Sequence, residues 1–224
     1  MTIKTAMILS AGRGERMGQL TQNKPKPLLK CRKKTLLEWH LEKLSDAGFT
    51  DVIINVSYLA SQIEDYVGDG AKWNINITIS REDPILETAG GIKKALSLIN
   101  PQIFVVINAD IFTEFDYKKL VEAELLKDID AHLYLTENPT HNRDGDFTLN
   151  KEGFLRARTS QAKTFTGIGV YKKLFFDEVP INSYAKLAPL INRGIKKNII
   201  TGELLNSFWT DVGTPERLNS LNEL

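Results

Sequence analysis

Cysteine is nearly absent from this chain of 224 residues: Cys31 stands alone, so it closes no internal disulfide and builds no cysteine metal cluster. Histidine is scarce as well. His40, His132 and His141 form no cluster, which leaves zinc without a ligand set and a histidine-activated nucleophile without a convincing partner. No apolar run approaches the ~18 residues that span a bilayer. The run after Lys4 breaks at Gly12 and Arg13, too soon for a secretory leader. Net charge is lacking too. At +1 overall, no global field invites nucleic acid or an anionic membrane, and any functional positive charge must be local. The basic run Lys30-Cys31-Arg32-Lys33-Lys34 carries no interleaved aromatics and reads as a solvated turn. A soluble, cytoplasmic protein with no nucleic-acid and no membrane partner is expected. An apolar content of 42% and this length suit one large α/β domain over 1–224.

Strand-like runs alternate with helical patterns through the first half, the mark of a βαβ sheet covered on both faces. Strands are expected at 6–10, 52–56, 75–79 and 103–109, the last buried on both faces. Thr35 and Glu38 form a capping box ahead of Leu37, Leu41 and Leu44, and Gly48 ends that helix. A second helix is expected over 59–67, stopped by Gly68. Thr88 is expected to cap a third, which opens on Gly90-Gly91. The second half is less regular and reads as a substrate-facing portion laid over the same sheet. Its short strands fall at 133–136, 147–149, 154–158 and 165–171, and Pro189 and Pro215 suit the first turns of helices.

Positive charge gathers where the first strand ends. Ala11-Gly12-Arg13-Gly14-Glu15-Arg16-Met17 follows it, and Lys24-Pro25-Lys26-Pro27 comes close behind. Gly12 and Gly14 let the backbone aim several N–H groups at one anion. Arg13, Arg16 and Lys26 add the forked and mobile charge that a triphosphate requires. A nucleotide is the natural guest of this loop, within a nucleotide-binding part of about 1–110. Two familiar fingerprints fail on the same residues: Met17 stands where a dinucleotide motif needs its third glycine, and no stretch supplies a P-loop. A hydride-transferring dehydrogenase is correspondingly weakened.

Asp110 ends the buried run 103–109, so its carboxylate should emerge at the carboxyl edge of a central strand, where open α/β sheets bind ligands. Asp211 lies between an apolar strand and a capped helix. The two can share one Mg²⁺, which takes one or two carboxylates plus phosphate oxygens and water. Asn108 shares a strand face with Asp110 and suits a sugar hydroxyl. Glu87-Thr88-Ala89-Gly90-Gly91 offers backbone groups with little bulk to a base or ribose, and serves equally well as a plain helix start. Gly167 and Gly169 leave one strand face bare for a ligand or for a crossing backbone. Lys186 either reaches a sugar phosphate or is a surface lysine.

Leu9-x-Ala11-Gly12-x-Gly14-x-Arg16-Met17, followed by Pro25-Lys26-Pro27-Leu28, resembles the signature of the sugar-1-phosphate nucleotidyltransferases, and the likeness extends from Ala6 to Leu218. The resemblance implies a three-layer α/β/α, Rossmann-like nucleotidyltransferase fold with a mixed, mostly parallel central sheet. It implies a base-reading loop at Glu87, Thr88 and Gly90, and a sugar loop whose acceptor is Asp146, in a sugar-binding part of about 111–224. Asp211 in Trp209-x-Asp211-Val212-Gly213-Thr214 resembles the second metal ligand beside Asp110. Arg16, Lys26 and Asp110 are then the catalytic residues. Leu86-Glu87-Thr88-x-Gly90-Gly91 and Gly145-Asp146-Phe147 are most similar to the branch that joins UTP and N-acetylmuramate-1-phosphate in cell-wall sugar recycling. Ala109 and Lys33-Lys34-Thr35 depart from the usual Asn-Gly-Asp and Gly-Lys-Pro. The implied partners are a nucleoside triphosphate and a sugar-1-phosphate, bound by a monomer or small homo-oligomer. Relatives that use mannose- or glucose-1-phosphate, and a non-catalytic sugar-nucleotide sensor on the same fold, are the alternative readings.

Overall fold

A computed structural model describes residues 2–223. Its elements in chain order are β1 (Thr5–Leu9), β2 (Lys30–Cys31), β3 (Lys34–Thr35), α1 (Leu36–Ala47), β4 (Asp51–Val56), α2 (Ala60–Val67), β5 (Asn76–Arg81), α3 (Glu87–Ala95), β6 (Ile103–Asn108) and β7 (Ile111–Thr113). They continue with α4 (Lys118–Val121), β8 (Ala131–Thr136), β9 (Thr148–Leu149), β10 (Leu155–Arg156), β11 (Thr164–Lys172), α5 (Leu187–Lys197), β12 (Ile200–Leu204), β13 (Trp209–Asp211) and α6 (Pro215–Glu223).

Among the described residues seven strands form the main sheet, in the order β12-β8-β11-β6-β1-β4-β5. β11 pairs antiparallel with both of its neighbours, and every other pairing in the sheet is parallel, so the mixed, mostly parallel sheet is as expected. The second half does more than lie over this sheet. It supplies β8, β11 and β12, extending the sheet past β6.

Side chains alternate across each strand, and the two faces bury different partners. Ala6, Ile8, Val52, Ile54, Val105 and Ile107 point to one side, where Leu37, Leu41 and Leu44 of α1 and Ile63 and Val67 of α2 cover them. Met7, Ile53, Phe104 and Val106 point to the other, against Ala89, Ile92 and Ala95 of α3 and Leu190, Ile191 and Ile195 of α5. Three layers result. The α1 start follows the capping expectation: Glu38 N donates to Thr35 Oγ1 at 3.0 Å, and Gly48 leaves the helix at φ 92°.

A third apolar cluster joins the β1–α1 segment to β7 and the last helix. Met17, Leu29, Cys31 and Leu36 meet Phe112 of β7, Val212, and Leu218 and Leu221 of α6. Cys31 is a buried free thiol, and desolvation pushes it up to about 11, so it stays protonated and inert. The basic run forms the β2–β3 hairpin, whose turn residues Arg32 and Lys33 take φ of 47° and 74°. Arg32 ties it to the last helix through the Leu221 carbonyl and the Asn222 side chain, with its guanidinium over Phe112.

Candidate active site

β1, β4 and β6 end on the same edge of the sheet, and the chain segments leaving them enclose a cleft of about 540 Å³. Its wall is continuous from Leu9 to Arg16, and Lys26, Pro27, Asn55, Glu82, Ile85, Glu87, Thr88, Asn108, Ala109, Asp110 and Gly213 complete it. Eleven residues assigned from the sequence therefore meet in one place: Ala11, Gly12, Arg13, Gly14, Glu15, Arg16, Lys26, Glu87, Thr88, Asn108 and Asp110.

The loop after β1 has the properties of an anion cradle. Gly14 takes the left-handed conformation at φ 66°, which turns the chain back. Among the described residues the backbone N–H groups from Ala11 to Arg16 find no backbone or side-chain acceptor, which leaves them to a guest in the cleft. The carbonyl of Gly14 accepts from Thr21 Oγ1 at 3.0 Å, fixing the far end of the loop. Arg13 and Arg16 are exposed at its rim, with the Arg13 guanidinium 5.6 Å from the centre of the Tyr58 ring. Lys26 crosses beneath. A Cβ built on Gly14 would lie 3.1 Å from Lys26 Cβ, so a bare α-carbon is what lets the lysine pass.

The Lys26 side chain is only 9% exposed, and its Nζ donates to Asp110 Oδ2 at 2.5 Å. Desolvating an ammonium is costly unless an anion and hydrogen bonds compensate, and Asp110 supplies both. Asp110 is held in turn by the strand that follows it. Val212 N donates to the Asp110 carbonyl at 2.7 Å, and β13 pairs antiparallel with β7 so that Asp211 lies opposite Ile111. The two aspartates thus occupy neighbouring strand positions despite the length of chain between them. Asp211 Oδ1 accepts from Arg217 Nη1 at 2.6 Å and lies 2.7 Å from His141 Nε2. Among the described residues no group of three or more histidine, cysteine or acidic side chains assembles as a metal cage. Asp211 is not on the cleft wall but lies beside it on the adjoining strand, and the two partly exposed carboxylates, paired with Lys26 and with Arg217, are a donor set suited to a hard ion that keeps water and phosphate oxygens as its other ligands.

Several expectations shift. Thr88 does not cap α3: it lies inside the helix, and the Ala185 carbonyl accepts from Ala89 N at 2.9 Å and Gly90 N at 3.1 Å instead. Glu82 Oε2 accepts from Leu86 N, and the chain enters the helix through Glu87 at φ 63°. Gly90 does not reach the cleft. It is buried behind it, where an added Cβ would meet the Ser183 carbonyl at 2.2 Å. The faces bared by Gly167 and Gly169 are filled by protein: a Cβ on Gly167 would lie 2.6 Å from Asn108 Nδ2, and one on Gly169 would lie 2.7 Å from the Tyr171 ring. Gly167 nonetheless touches the site through Asn108. Lys186 is exposed at the N-cap of α5 and takes no part in the cleft wall. Asp146 also stands off the wall, and its Oδ2 is spent on Phe165 N at 2.8 Å and Asn142 Nδ2 at 3.2 Å.

Sequence reasoning missed Asn55, Glu82 and Arg217, and it placed His141 in the sugar loop without its Asp211 partner. A polar residue inside the run Val52-Ile53-Ile54-Asn55-Val56 is a signal that Asn55 was available to give, and Glu82 stands just past a strand end. Arg217 lies six residues past Asp211, in the first turn of α6, whereas the pairing of His141 with Asp211 is marked by nothing local.

The nucleotidyl transferase family model matches residues 5–224. An N-acetylmuramate alpha-1-phosphate uridylyltransferase of Neisseria meningitidis serogroup B is 44% identical over 224 residues, covering 98% of this chain and 97% of that one. A mannose-1-phosphate guanylyltransferase catalytic subunit beta of Drosophila pseudoobscura pseudoobscura is 26% identical across 94% of this chain, which spans 59% of that longer protein. Among solved structures, HddC from Yersinia pseudotuberculosis complexed with GMP-PN superposes with a TM-score of 0.78 at 26% identity, covering 100% of this chain and 99% of the other. A match that begins at β1 and runs through α6, joined to that level of identity along nearly all of two chains, leaves one assignment: the chain belongs to the nucleotidyl transferase family of enzymes.

Proposed function

We propose that this enzyme transfers a uridylyl group from UTP to N-acetylmuramate-1-phosphate, releasing pyrophosphate, in cell-wall sugar recycling. The observation that carries the reading is Lys26, buried between a loop of unpartnered N–H groups and the carboxylate of Asp110. The uridylyltransferase relative at 44% identity supports the base and the sugar.

In this reaction a phosphate oxygen of the sugar-1-phosphate attacks the α-phosphorus of the triphosphate, and the bond from that phosphorus to the β-phosphate bridge oxygen breaks. The attacking oxygen is already anionic. No general base is needed, which agrees with a cleft whose wall includes no histidine. What opposes the step is repulsion between two polyanions, so positioning and charge neutralisation are the enzyme's contribution. The amides from Ala11 to Arg16, with Arg13 and Arg16 at the rim, hold the β- and γ-phosphates. Lys26 faces the α-phosphate and offsets the charge that builds there. Glu87 and Thr88 take the base or ribose, and Asn108 orients the sugar against the 111–224 part, the whole chain acting as one domain. Asp110 and Asp211 are the residues that would hold Mg²⁺, and their carboxylate chemistry fits that ion. When bound, Mg²⁺ supplies neutralisation of the triphosphate. We place the reaction in the cytoplasm, where nucleoside triphosphates are made.

The test combines the purified protein with Mg²⁺, each of the four ribonucleoside triphosphates and dTTP in turn, and a panel of sugar-1-phosphates, and measures pyrophosphate. Fast release with UTP and N-acetylmuramate-1-phosphate is expected. Preference for GTP and mannose-1-phosphate would instead support the guanylyltransferase reading, which the Drosophila relative and the GMP-PN complex of HddC favour.

A further inference from the structure

Two buried polar residues in the cleft wall have no place in the reaction just described. Glu82 and Asn55 are each 3% exposed, and among the described residues Glu82 has no cation as a partner. Both are fully occupied with each other and with the backbone. Asn55 Nδ2 donates to Glu82 Oε1 at 2.7 Å, Asn55 Oδ1 accepts from Ser10 N at 2.8 Å, and Glu82 Oε2 accepts from Leu86 N at 2.8 Å. The Asn55 amide has one possible orientation, since Ser10 N can only donate and the Glu82 carboxylate faces its other end.

The chain of contacts joins two places that matter. Ser10 is the last residue before the phosphate cradle, and Leu86 is the last before Glu87 and Thr88. α3 is shaped around it as well: a Cβ on Gly91 would lie 2.3 Å from Glu82 Oε1 and 2.9 Å from Asn55 Nδ2. A buried carboxylate held this way costs desolvation that an apolar pair would avoid, so its contribution is to be sought in geometry.

We infer that Asn55 and Glu82 are positioning residues which hold the phosphate cradle and the base-side loop in one fixed relation, through their hydrogen-bond pattern and not through the charge of Glu82. The inference rests on the reading of the cleft as a triphosphate site. Pattern and charge are separable by a swap. In Glu82→Gln a new amide must face either the Asn55 amide or Leu86 N, donor against donor. In Asn55→Asp two carboxylates face each other in a dry site. In the double variant the introduced amide at position 82 donates to the introduced carboxylate at position 55 and accepts from Leu86 N. That carboxylate accepts in turn from Ser10 N, and every group is satisfied again.

The experiment uses the full chain with Mg²⁺. It measures KM for UTP, KM for N-acetylmuramate-1-phosphate, kcat, equilibrium binding of UTP and the thermal transition, for wild type, both single variants and the swap. Each single variant is expected to raise KM and Kd for UTP roughly tenfold to a hundredfold, the penalty for misplacing a binding group by about an ångström. KM for the sugar phosphate should stay within about threefold, a split that a general loss of structure would not produce. The swap should bring UTP binding back to within about threefold of wild type. Single variants with wild-type KM for UTP would overturn the inference. So would a swap as impaired as Glu82→Gln, which would mean that the charge at 82 meets the nucleotide directly. If Asn55→Asp does not fold, the comparison of Glu82→Gln with the swap decides alone, and a swap that does not fold counts against the proposal. Failure of the underlying reading looks different: the wild-type protein itself would neither bind UTP nor release pyrophosphate from it.

Discussion

Replacing Lys26 by methionine separates catalysis from folding, because the two halves of this side chain do different things. The aliphatic stem is packed under the cradle, close to Gly14 and 9% exposed, and methionine keeps most of that contact. The ammonium is what is lost. Breaking a fully buried ion pair by removing one partner costs about 3–5 kcal/mol, since a bare charge stays behind. Here that charge is Asp110, whose side chain is 35% exposed and can hydrate, so the penalty falls toward the ~1 kcal/mol of a partly exposed pair. For a chain of this size ~1 kcal/mol lowers Tm by about 2–4 °C. Turnover should suffer far more. A donor aimed at charge developing in the transition state is worth roughly 10²–10³ in kcat, or about 3–4 kcal/mol. Calorimetry and a pyrophosphate-release assay on the same preparation read both numbers. Turnover within about threefold of wild type would refute the assignment of Lys26 to the reacting phosphate. A fall in Tm beyond about 10 °C would refute the argument that Asp110 rehydrates.

The remaining predictions address the cation, the core and the helix start. Chelating divalent ions should abolish pyrophosphate release and Mg²⁺ should restore it, while Asp211→Asn should raise the Mg²⁺ concentration for half-maximal rate roughly tenfold to a hundredfold; unchanged Mg²⁺ dependence would remove Asp211 from the metal site. Burial holds fully enclosed His40 down at about 4, against an ordinary value near 6.5. The unfolded chain therefore takes up a proton that the native state refuses, so the stability tied to neutral His40 is complete above about pH 6.5 and is lost as pH falls toward 4, by up to about 3 kcal/mol. His132, held at about 4 by burial, adds the same sign. Urea midpoints from pH 7 to 4.5 should decline, and less steeply in a His40→Gln variant; a flat profile would contradict this burial. Gly91→Ala drives a methyl onto the Glu82 carboxylate and should cost about 1–3 kcal/mol of stability, measured by denaturant titration, whereas an unaffected midpoint would show that the pair gives way freely.

Much of the fold was legible because its signals act over a few residues. Thr35 caps α1 through a bond to Glu38 N three positions on, Gly48 stops it, and the apolar run at 103–109 makes a strand wherever it lies in a sheet. The cradle was legible for the same reason: its glycines, arginines and lysine fall within one stretch from Gly12 to Lys26. Thr88 misled because a hydroxyl at a helix start is a local offer, and a carbonyl from residue 185, brought over by tertiary packing, accepted the same N–H groups first. Gly167 and Gly169 misled in a related way. A missing side chain marks close approach, and sequence cannot say that the approaching group is Asn108 or Tyr171 and not a ligand.

Asn55 escaped notice because its partners are set by strand order and not by chain order. It meets Ser10 because β4 lies beside β1, just as Asp211, which its own motif did reveal, meets the chain at Asp110 because β13 lies beside β7. An edge where parallel strands end together gathers such residues as a matter of geometry, since every strand delivers its last side chains to the same place. The direct donors to a phosphate can then sit on one short loop and be read there. The groups that hold that loop in register with the rest of the site come from separate strands, which is why the swap between positions 55 and 82 tests a relation no single stretch of the chain contains.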